Sequence, residues 1–288
     1  MKKQITATAF TSLMALILIS GCFPQSAPPR DVTAFDMIQA GKLRDSVEFI
    51  NLGRSGQVDK FPTGLQAFPA LKKLSVRGQK SCATVPAEVG SLKGLAMLDL
   101  SETGVSSLPD SFVAMSGLHY LYLSDNGLTN FPSVVCSLKG LTYLNLDRNA
   151  LESLPDSIGN LTGILWLRLN SNKLKTIPEG AAGLTKIKRL YLRGNALESL
   201  PPVVLKMTSL EELDLGNNQI RELPEEIVNL PNLRRVDLDG NPLAKMPTDL
   251  GKMKNLRYLF LNKCALPAEE QTRIRAIFPD AVKIHIAF

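Results

Sequence analysis

The stretch 141–163 reads LTYLNLDRNALESLPDSIGNLTG, and seven of its letters, NALESLP, recur further along the chain. The two copies begin at Asn149 and Asn195, which lie 46 residues, or two steps of 23, apart. A fixed period of about 20 to 50 residues is the sequence signature of a repeat architecture. The chain is therefore first aligned on a 23-residue period.

Three further copies follow the first without a gap: ILWLRLNSNKLKTIPEGAAGLTK (164–186), IKRLYLRGNALESLPPVVLKMTS (187–209) and LEELDLGNNQIRELPEEIVNLPN (210–232). Their shared pattern, LxxLxLxxNxLxxLPxxIxxLxx, resembles the leucine-rich repeat and extends over about ten copies between residues 47 and 265. The resemblance implies an α/β leucine-rich-repeat solenoid of horseshoe form. Its parallel sheet would lie on the concave side, and convex loops would carry short helical or 3₁₀ turns.

Each repeated position has a physical role in such a stack. Leu141, Leu144 and Leu146 alternate as in a strand that turns two leucines inward, so that stacked copies build a parallel sheet on an apolar core. Proline at the fifteenth position fixes φ and favours the start of a helical turn. It recurs nine times, at Pro62, Pro86, Pro109, Pro132, Pro155, Pro178, Pro201, Pro224 and Pro247.

The ninth position is a ladder of polar residues. In the family that the repeats resemble, this asparagine turns inward and bonds the loop backbone of its own and the neighbouring repeat, and cysteine is tolerated there. The resemblance implies this structural role for Asn126, Asn149, Asn172, Asn195, Asn218, Asn241 and Cys264, with Thr103 at the same position one repeat earlier.

The first 22 residues, MKKQITATAFTSLMALILISGC, have the layout of a secretory signal peptide, with lysines, an apolar run and small residues before a cysteine. The apolar run of about 13 residues is shorter than the about 20 that a spanning helix needs. The segment Ile19-Ser20-Gly21-Cys22 resembles the lipobox of bacterial lipoproteins. The resemblance implies cleavage before Cys22 and its acylation, which would anchor the protein in a lipid bilayer.

These assignments divide the chain into a signal peptide over 1–21, a tether over 22–30, an N-terminal helical cap over 31–46, repeats over 47–265 and a C-terminal cap over 266–288. By resemblance to enteric lipoproteins, in which aspartate after the cysteine signals inner-membrane retention, Phe23 favours the outer membrane of a bacterial cell envelope. A plain secretory signal is the alternative. If the signal is not processed, a cytoplasmic structural scaffold is expected.

The third and fifth positions of the repeats should point out of the sheet onto the concave face. All five tyrosines and the single tryptophan of the chain fall at these positions. Tyrosine, tryptophan and arginine dominate interface hot spots, although aromatic residues also favour strands for structural reasons. We therefore predict a partner-binding surface for another protein or a glycan, formed by Tyr120, Tyr122, Tyr143, Trp166, Arg168, Arg189, Tyr191 and Arg193.

Other function classes have little support in the sequence. The formal net charge of +6 is mild and spread along the chain, so no nucleic-acid partner is expected. No HExxH, GxSxG or P-loop motif and no CxxC pair occurs, so we expect no enzyme activity, no catalytic residue, no metal and no cofactor. An acidic block with flanking arginines is interpreted as a charge-balanced face rather than a cation site. It comprises Glu211, Glu212, Asp214, Asp237 and Asp239, with Arg234, Arg235 and Arg257.

Overall fold

The structure is a computed structural model that describes residues 16–18, 47–53, 58–278 and 285–288. Its internal contacts divide the chain into an N-terminal unit that ends at Gly127 and a C-terminal unit, Leu128–Phe288. The predicted lipidation site Cys22, the tether and the N-terminal helical cap lie outside the described residues. Among the helices that the structure does describe, none is long and apolar enough to cross a membrane.

The N-terminal unit consists of short strands joined by loops and 3₁₀ helices. Strands β2 to β5 pair in parallel in chain order, and β1 pairs antiparallel with β2. The strands are β1 (Leu16–Leu18), β2 (Phe49–Asn51), β3 (Lys73–Ser75), β4 (Met97–Asp99) and β5 (Tyr120–Tyr122). The 3₁₀ helices are Leu65–Ala67, Lys80–Cys82, Ala87–Ser91 and Asp110–Ala114.

The C-terminal unit continues the same succession of elements. Its strands pair in parallel in chain order wherever their pairing is described, from β6 to β12. They are β6 (Tyr143–Asn145), β7 (Trp166–Arg168), β8 (Arg189–Tyr191), β9 (Glu212–Asp214), β10 (Arg235–Asp237), β11 (Tyr258–Phe260) and β12 (His285–Ala287). The helices are the 3₁₀ segments Ser133–Ser137, Asp156–Asn160, Glu179–Gly183, Pro202–Lys206, Glu225–Asn229 and Leu250–Lys252, and α1 (Ala268–Ile277).

The leucines of the repeat pattern form the core, as predicted. Leu141, Leu144 and Leu146 are completely buried, and the central residue of each following strand, such as Leu167 on β7, is also buried. Each strand is three residues long, and its central residue is buried between two residues that are more exposed. Stacking one such leucine on the next gives the sheet a continuous apolar side.

The proline of each repeat precedes a 3₁₀ helix, which resolves the predicted choice between a helical and a 3₁₀ turn. In the repeat that begins at residue 141, Pro155 comes directly before the helix Asp156–Asn160 and has an extended ψ of 152°. Its carbonyl accepts the N–H of Ile158 at 3.0 Å, the i to i+3 bond that defines a 3₁₀ turn. Ile158 is in turn completely buried, so the turn directs an apolar side chain into the core.

The asparagines of the ninth position hold adjacent loops together. Asn172 donates from Nδ2 to the carbonyls of Leu146 and Leu169, both at 3.0 Å, and accepts the N–H of Leu151 at 3.1 Å. At the last position of the ladder, the Cys264 thiol donates to the carbonyl of Leu238 at 3.3 Å. Burial raises the pKa of the Cys264 thiol, which favours its protonated form.

The eighth position has a backbone requirement that the leucine pattern did not reveal. Its residues have φ between 52° and 75° in the left-handed region, where side chains are strained. Glycine occupies this position at Gly78, Gly194 and Gly240, and polar residues occupy it in the other repeats. These are Glu102, Asp125, Arg148, Ser171, Asn217 and Lys263.

The last described residues of this unit form a helix and a strand. Helix α1 begins directly after Pro267 and buries Ile274 completely. Ile277 and Phe278 at its C-terminal end are only partly buried. Strand β12 then pairs with β11 in parallel and provides the last strand of this unit.

Candidate partner-binding face

The outward residues of the strands in the C-terminal unit form one face, which we call the open face. Because the strands pair in register, the third positions of successive repeats form one column, and the fifth positions form a second. The first column runs Tyr143, Trp166, Arg189, Glu212, Arg235, Tyr258, and the second runs Asn145, Arg168, Tyr191, Asp214, Asp237, Phe260. The open face therefore passes from aromatic to charged and back to aromatic.

The first column begins with a chain of ring and charge contacts. The rings of Tyr143 and Trp166 meet edge to face, with their centroids 5.8 Å apart. The guanidinium of Arg189 lies over the Trp166 ring, 4.3 Å from its centroid, and its Nε contacts Glu212 at 3.0 Å. Trp166 nevertheless keeps 39% of its surface exposed. These contacts fix the indole while leaving part of it open to a partner.

The second column is built around Arg168 and Tyr191. Arg168 lies 5.1 Å from the centroid of the Tyr191 ring and forms a short ion pair with the buried Asp147. The Tyr191 hydroxyl donates to Glu212 at 2.9 Å. Burial, the hydrogen bond to Glu212 and its negative charge raise the pKa of Tyr191 to about 12. The phenol is therefore neutral and held as a donor at physiological pH.

Arg193 connects two carboxylates further along the face. Its guanidinium contacts Asp214 at 3.2 Å and Asp237 at 2.6 Å. Asp237 is buried, and both this burial and the nearby Asp214 raise the pKa of its carboxyl, while Arg193 lowers it. Burial lowers the pKa of Arg193, but the charges of the two aspartates outweigh it and raise the pKa overall. Arg193 thus stabilises two negative charges that would otherwise repel each other.

A groove of about 670 Å³ lies on the open face beyond Arg189. It is lined by Arg189, Tyr191, Glu211, Glu212, Asp214, Arg234, Arg235, Arg257 and Tyr258. Four arginines and three acidic residues give its lining both signs of charge, with an exposed tyrosine at one end. Among the residues that the structure describes, no group of three or more His, Cys, Asp or Glu side chains is arranged to hold a metal ion.

The structure brings together most of the residues that the sequence proposed for partner binding. Tyr143, Trp166, Arg168, Arg189, Tyr191 and Arg193 all lie on the open face or beside it. Tyr120 and Tyr122 belong to the N-terminal unit, where they lie at the two ends of β5. Whether any of these residues contacts a partner stays a prediction.

Two contributions to the face lie outside the predicted set of partner-binding residues. Asp147, at the seventh position of its repeat, is buried and holds Arg168, a role that only the spatial pairing reveals. Glu211, Arg234 and Arg257 occupy second positions, just before their strands, yet they line the groove together with strand residues. The sequence assigned these three residues to a charge-balanced face and not to the partner-binding surface.

Comparison with protein families identifies the repeats. A family model described as leucine rich repeat matches residues 139–197 and 185–243, and a second model of the same description matches residues 117–138. No curated protein shows significant sequence similarity to the chain.

Solved structures share the fold. A leucine-rich-repeat protein from Leptospira interrogans is 31% identical with a TM-score of 0.79, covering 86% of this chain and 62% of its own. Toll in the Drosophila Toll–Spätzle complex is 26% identical with a TM-score of 0.67, covering 78% of this chain and 31% of its own. The Arabidopsis receptor kinase HAESA was solved with the peptide hormone IDA and the co-receptor SERK1. It is 28% identical with a TM-score of 0.62, and the match covers 75% of this chain and 38% of the HAESA chain.

The chain thus spans less than two thirds of the length of each of these similar structures. The match nevertheless extends over most of this chain and rests on the same succession of parallel strands and 3₁₀ turns that the 23-residue period predicted. This chain therefore carries leucine-rich repeats, and its fold is the leucine-rich-repeat solenoid, an architecture typical of protein–protein interaction modules.

Proposed function

We propose that this protein is a lipid-anchored binding module that holds another protein on the open face of its C-terminal unit. The observation that carries the proposal is the aromatic and arginine cluster on β6 to β8. Trp166 is fixed there between Tyr143 and Arg189 and yet remains 39% exposed. A tryptophan held in place but open to solvent loses little entropy on binding and can bury a large area.

The structural alternative for this cluster is mutual stacking of aromatic residues that favour strands. It accounts for the contact of Tyr143 with Trp166, but it requires neither the exposed indole nor the arginines beside it. Arg168 and Arg189 are each held by a carboxylate, Asp147 and Glu212 respectively, which orients their guanidinium groups before any partner arrives. Such preorganisation lowers the entropic cost of an interface.

The structural neighbours support a protein partner. HAESA was solved in complex with a peptide hormone, PEPR1 was solved with AtPEP1, and Toll was solved with Spätzle. A glycan is the other class of partner that aromatic strands can bind, and it is an outcome of the binding experiment below. The proposed cell-envelope location rests on the lipobox-like segment that ends at Cys22. Acylation with two or more chains would hold the protein on a bilayer.

The binding proposal is tested by cross-linking capture from the membrane fraction of the cells that produce the protein. We expect wild-type protein to capture a partner that the double variant Tyr143→Ala and Trp166→Ala loses, since both side chains project away from the core. Val113→Ala removes another exposed apolar side chain, 61% exposed in the N-terminal unit, and serves as the matched control. Equal capture by the double variant and wild type would refute the proposal.

The anchor is tested separately by expression in bacteria with a palmitate analogue. Wild-type protein is expected to incorporate the label and sediment with membranes, whereas Cys22→Ala is expected to do neither, because its side chain has no thiol for a thioether. Labelled Cys22→Ala protein would contradict the lipoprotein assignment. Unlabelled wild-type protein in the cytosol would instead support the structural scaffold.

A further inference from the structure

The acidic side chains of the groove are already paired within the protein. Glu211 contacts Lys188 at 2.9 Å, and the hydrogen bond from Lys188 lowers the pKa of Glu211. Glu212 accepts a hydrogen bond from Tyr191 and forms an ion pair with Arg189, and Asp214 is held by Arg193. Each of these three carboxylates is therefore already paired with a side chain of the protein before any ligand enters the groove.

The arginines at the other side of the groove have spare donors. Within the described part of the chain, the exposed Arg234 side chain forms no ion pair and no hydrogen bond. Arg257 uses Nη1 on the backbone carbonyls of Lys254 and Leu256, which leaves its other donors for a ligand. Arg235 lies 4.4 Å over the ring of Phe260 and reaches Asp237 only at 3.5 Å.

These arginines are neighbours in the fold. The N–H of Arg257 donates to the carbonyl of Arg234 at 2.8 Å. Each arginine directly precedes its strand, and the two neighbouring strands are about 4.8 Å apart. Arg235 pairs in register with the exposed Tyr258, which closes this end of the groove. The groove thus presents three guanidinium groups beside an aromatic ring.

We infer that this groove binds the acidic side chains of an extended protein segment, with Arg234, Arg235 and Arg257 as the carboxylate-binding residues. Guanidinium groups bind carboxylates through paired, charge-assisted hydrogen bonds. Tyr258 offers an apolar surface to the residue next to the carboxylate. This inference rests on the proposed function and gives the partner a chemical class.

The pattern of charge favours spaced carboxylates over a polyanion. Glu211, Glu212 and Asp214 line the groove beside the arginines. A nucleic acid or a sulfated glycan carries negative charge on successive units, so part of that charge would lie against these carboxylates. A peptide with acidic residues at intervals meets the arginines and avoids the acidic side.

The test uses the full chain and fluorescence anisotropy with a dye-labelled, amidated octapeptide of alternating glutamate and leucine. The reference peptide has glutamine in place of glutamate. We expect the acidic peptide to bind at least about tenfold more tightly, and the double variant Arg234→Gln and Arg257→Gln to remove that preference. Arg234→Lys with Arg257→Lys should retain part of it, since the charge remains while the fork geometry is lost.

The matched control is Arg221→Gln, an exposed arginine that does not line the groove, and it should bind like wild type. Circular dichroism verifies that each variant is folded. Equal affinity for the two peptides, or an unchanged preference in the double variant, would overturn the inference. It would also be overturned if a glutamine peptide with a free carboxyl terminus bound as tightly as the acidic one, or if a heparin oligosaccharide bound more tightly.

The two proposals can fail independently. Loss of capture in the Tyr143 and Trp166 double variant depends on the aromatic end of the open face and does not require an acidic ligand. If that variant loses its partner while wild type shows no preference for the acidic peptide, only the carboxylate inference fails.

Discussion

Replacing Asn172 by alanine tests the role of the asparagine ladder most directly. This side chain is buried, and its amide donates to the carbonyls of Leu146 and Leu169, each at 3.0 Å. Its Oδ1 accepts the N–H of Leu151 at 3.1 Å. One side chain thereby joins the loops of two successive repeats.

The expected loss follows from what each backbone group retains. The carbonyls of Leu146 and Leu169 keep a second donor, from Asn149 at 2.9 Å and Asn195 at 3.0 Å. The N–H of Leu151 has no other acceptor among the described residues and would be stranded in the core. Two lost bonds at about 1 kcal/mol each and a stranded donor at about 1 to 3 kcal/mol give a loss of about 3 to 5 kcal/mol.

Urea unfolding measures this loss, with far-UV circular dichroism and the fluorescence of the single tryptophan, Trp166, as probes. With a slope of about 2 kcal/mol/M, the midpoint should fall by about 1.5 to 2.5 M. The control is Asn232→Ala, which removes one exposed bond to the Thr208 carbonyl at 2.9 Å and should change stability by less than about 0.5 kcal/mol. A loss below about 1 kcal/mol for Asn172→Ala, with an unchanged slope, would refute the reasoning.

Two further predictions concern titrating groups on the open face. Because the pKa of Tyr191 is raised to about 12 in the folded protein, the unfolded state loses this proton first, and the free energy of unfolding should fall between about pH 10 and 12. Tyr191→Phe should weaken that fall in urea titrations, and an unchanged profile would contradict the assignment. Arg193→Gln leaves Asp214 and the buried Asp237 unpaired and should cost about 2 to 4 kcal/mol at pH 7. Because burial raises the pKa of Asp237, protonation should restore part of this stability as pH falls, and a constant deficit from pH 7 to 4 would count against it.

The sequence predicted the scaffold well because each repeat makes the same local demands. A leucine such as Leu144 must turn inward wherever strands alternate, and Pro155 must precede a turn because its φ is fixed. The structure confirmed the parallel strands, the buried leucines and the turns, with 3₁₀ geometry in the segments that follow the repeat prolines. It also revealed the left-handed eighth position, which side-chain polarity at Ser171 and its equivalents did not indicate because polar residues are common in any loop.

The candidate site was predicted only in part. The columns of outward residues follow directly from the period, so the neighbours Tyr143, Trp166 and Arg189 could be proposed from spacing alone. The orientation of these side chains could not be predicted from spacing, because the rotamer of a long side chain depends on the charges around it. The roles of Asp147 and of the second-position arginines depend on contacts between residues 21 or more apart.

By itself the sequence determined the repeat, its period, the inward leucines and the lipobox-like segment, because these depend on short-range spacing and residue chemistry. Only the tertiary structure decided which charges on the open face are paired and which remain available. Glu211, Glu212 and Asp214 form ion pairs with neighbours one repeat away, whereas Arg234 has no ion pair in the described part of the chain. Electrostatic pairing depends on distances of a few ångströms between side chains, and packing sets those distances.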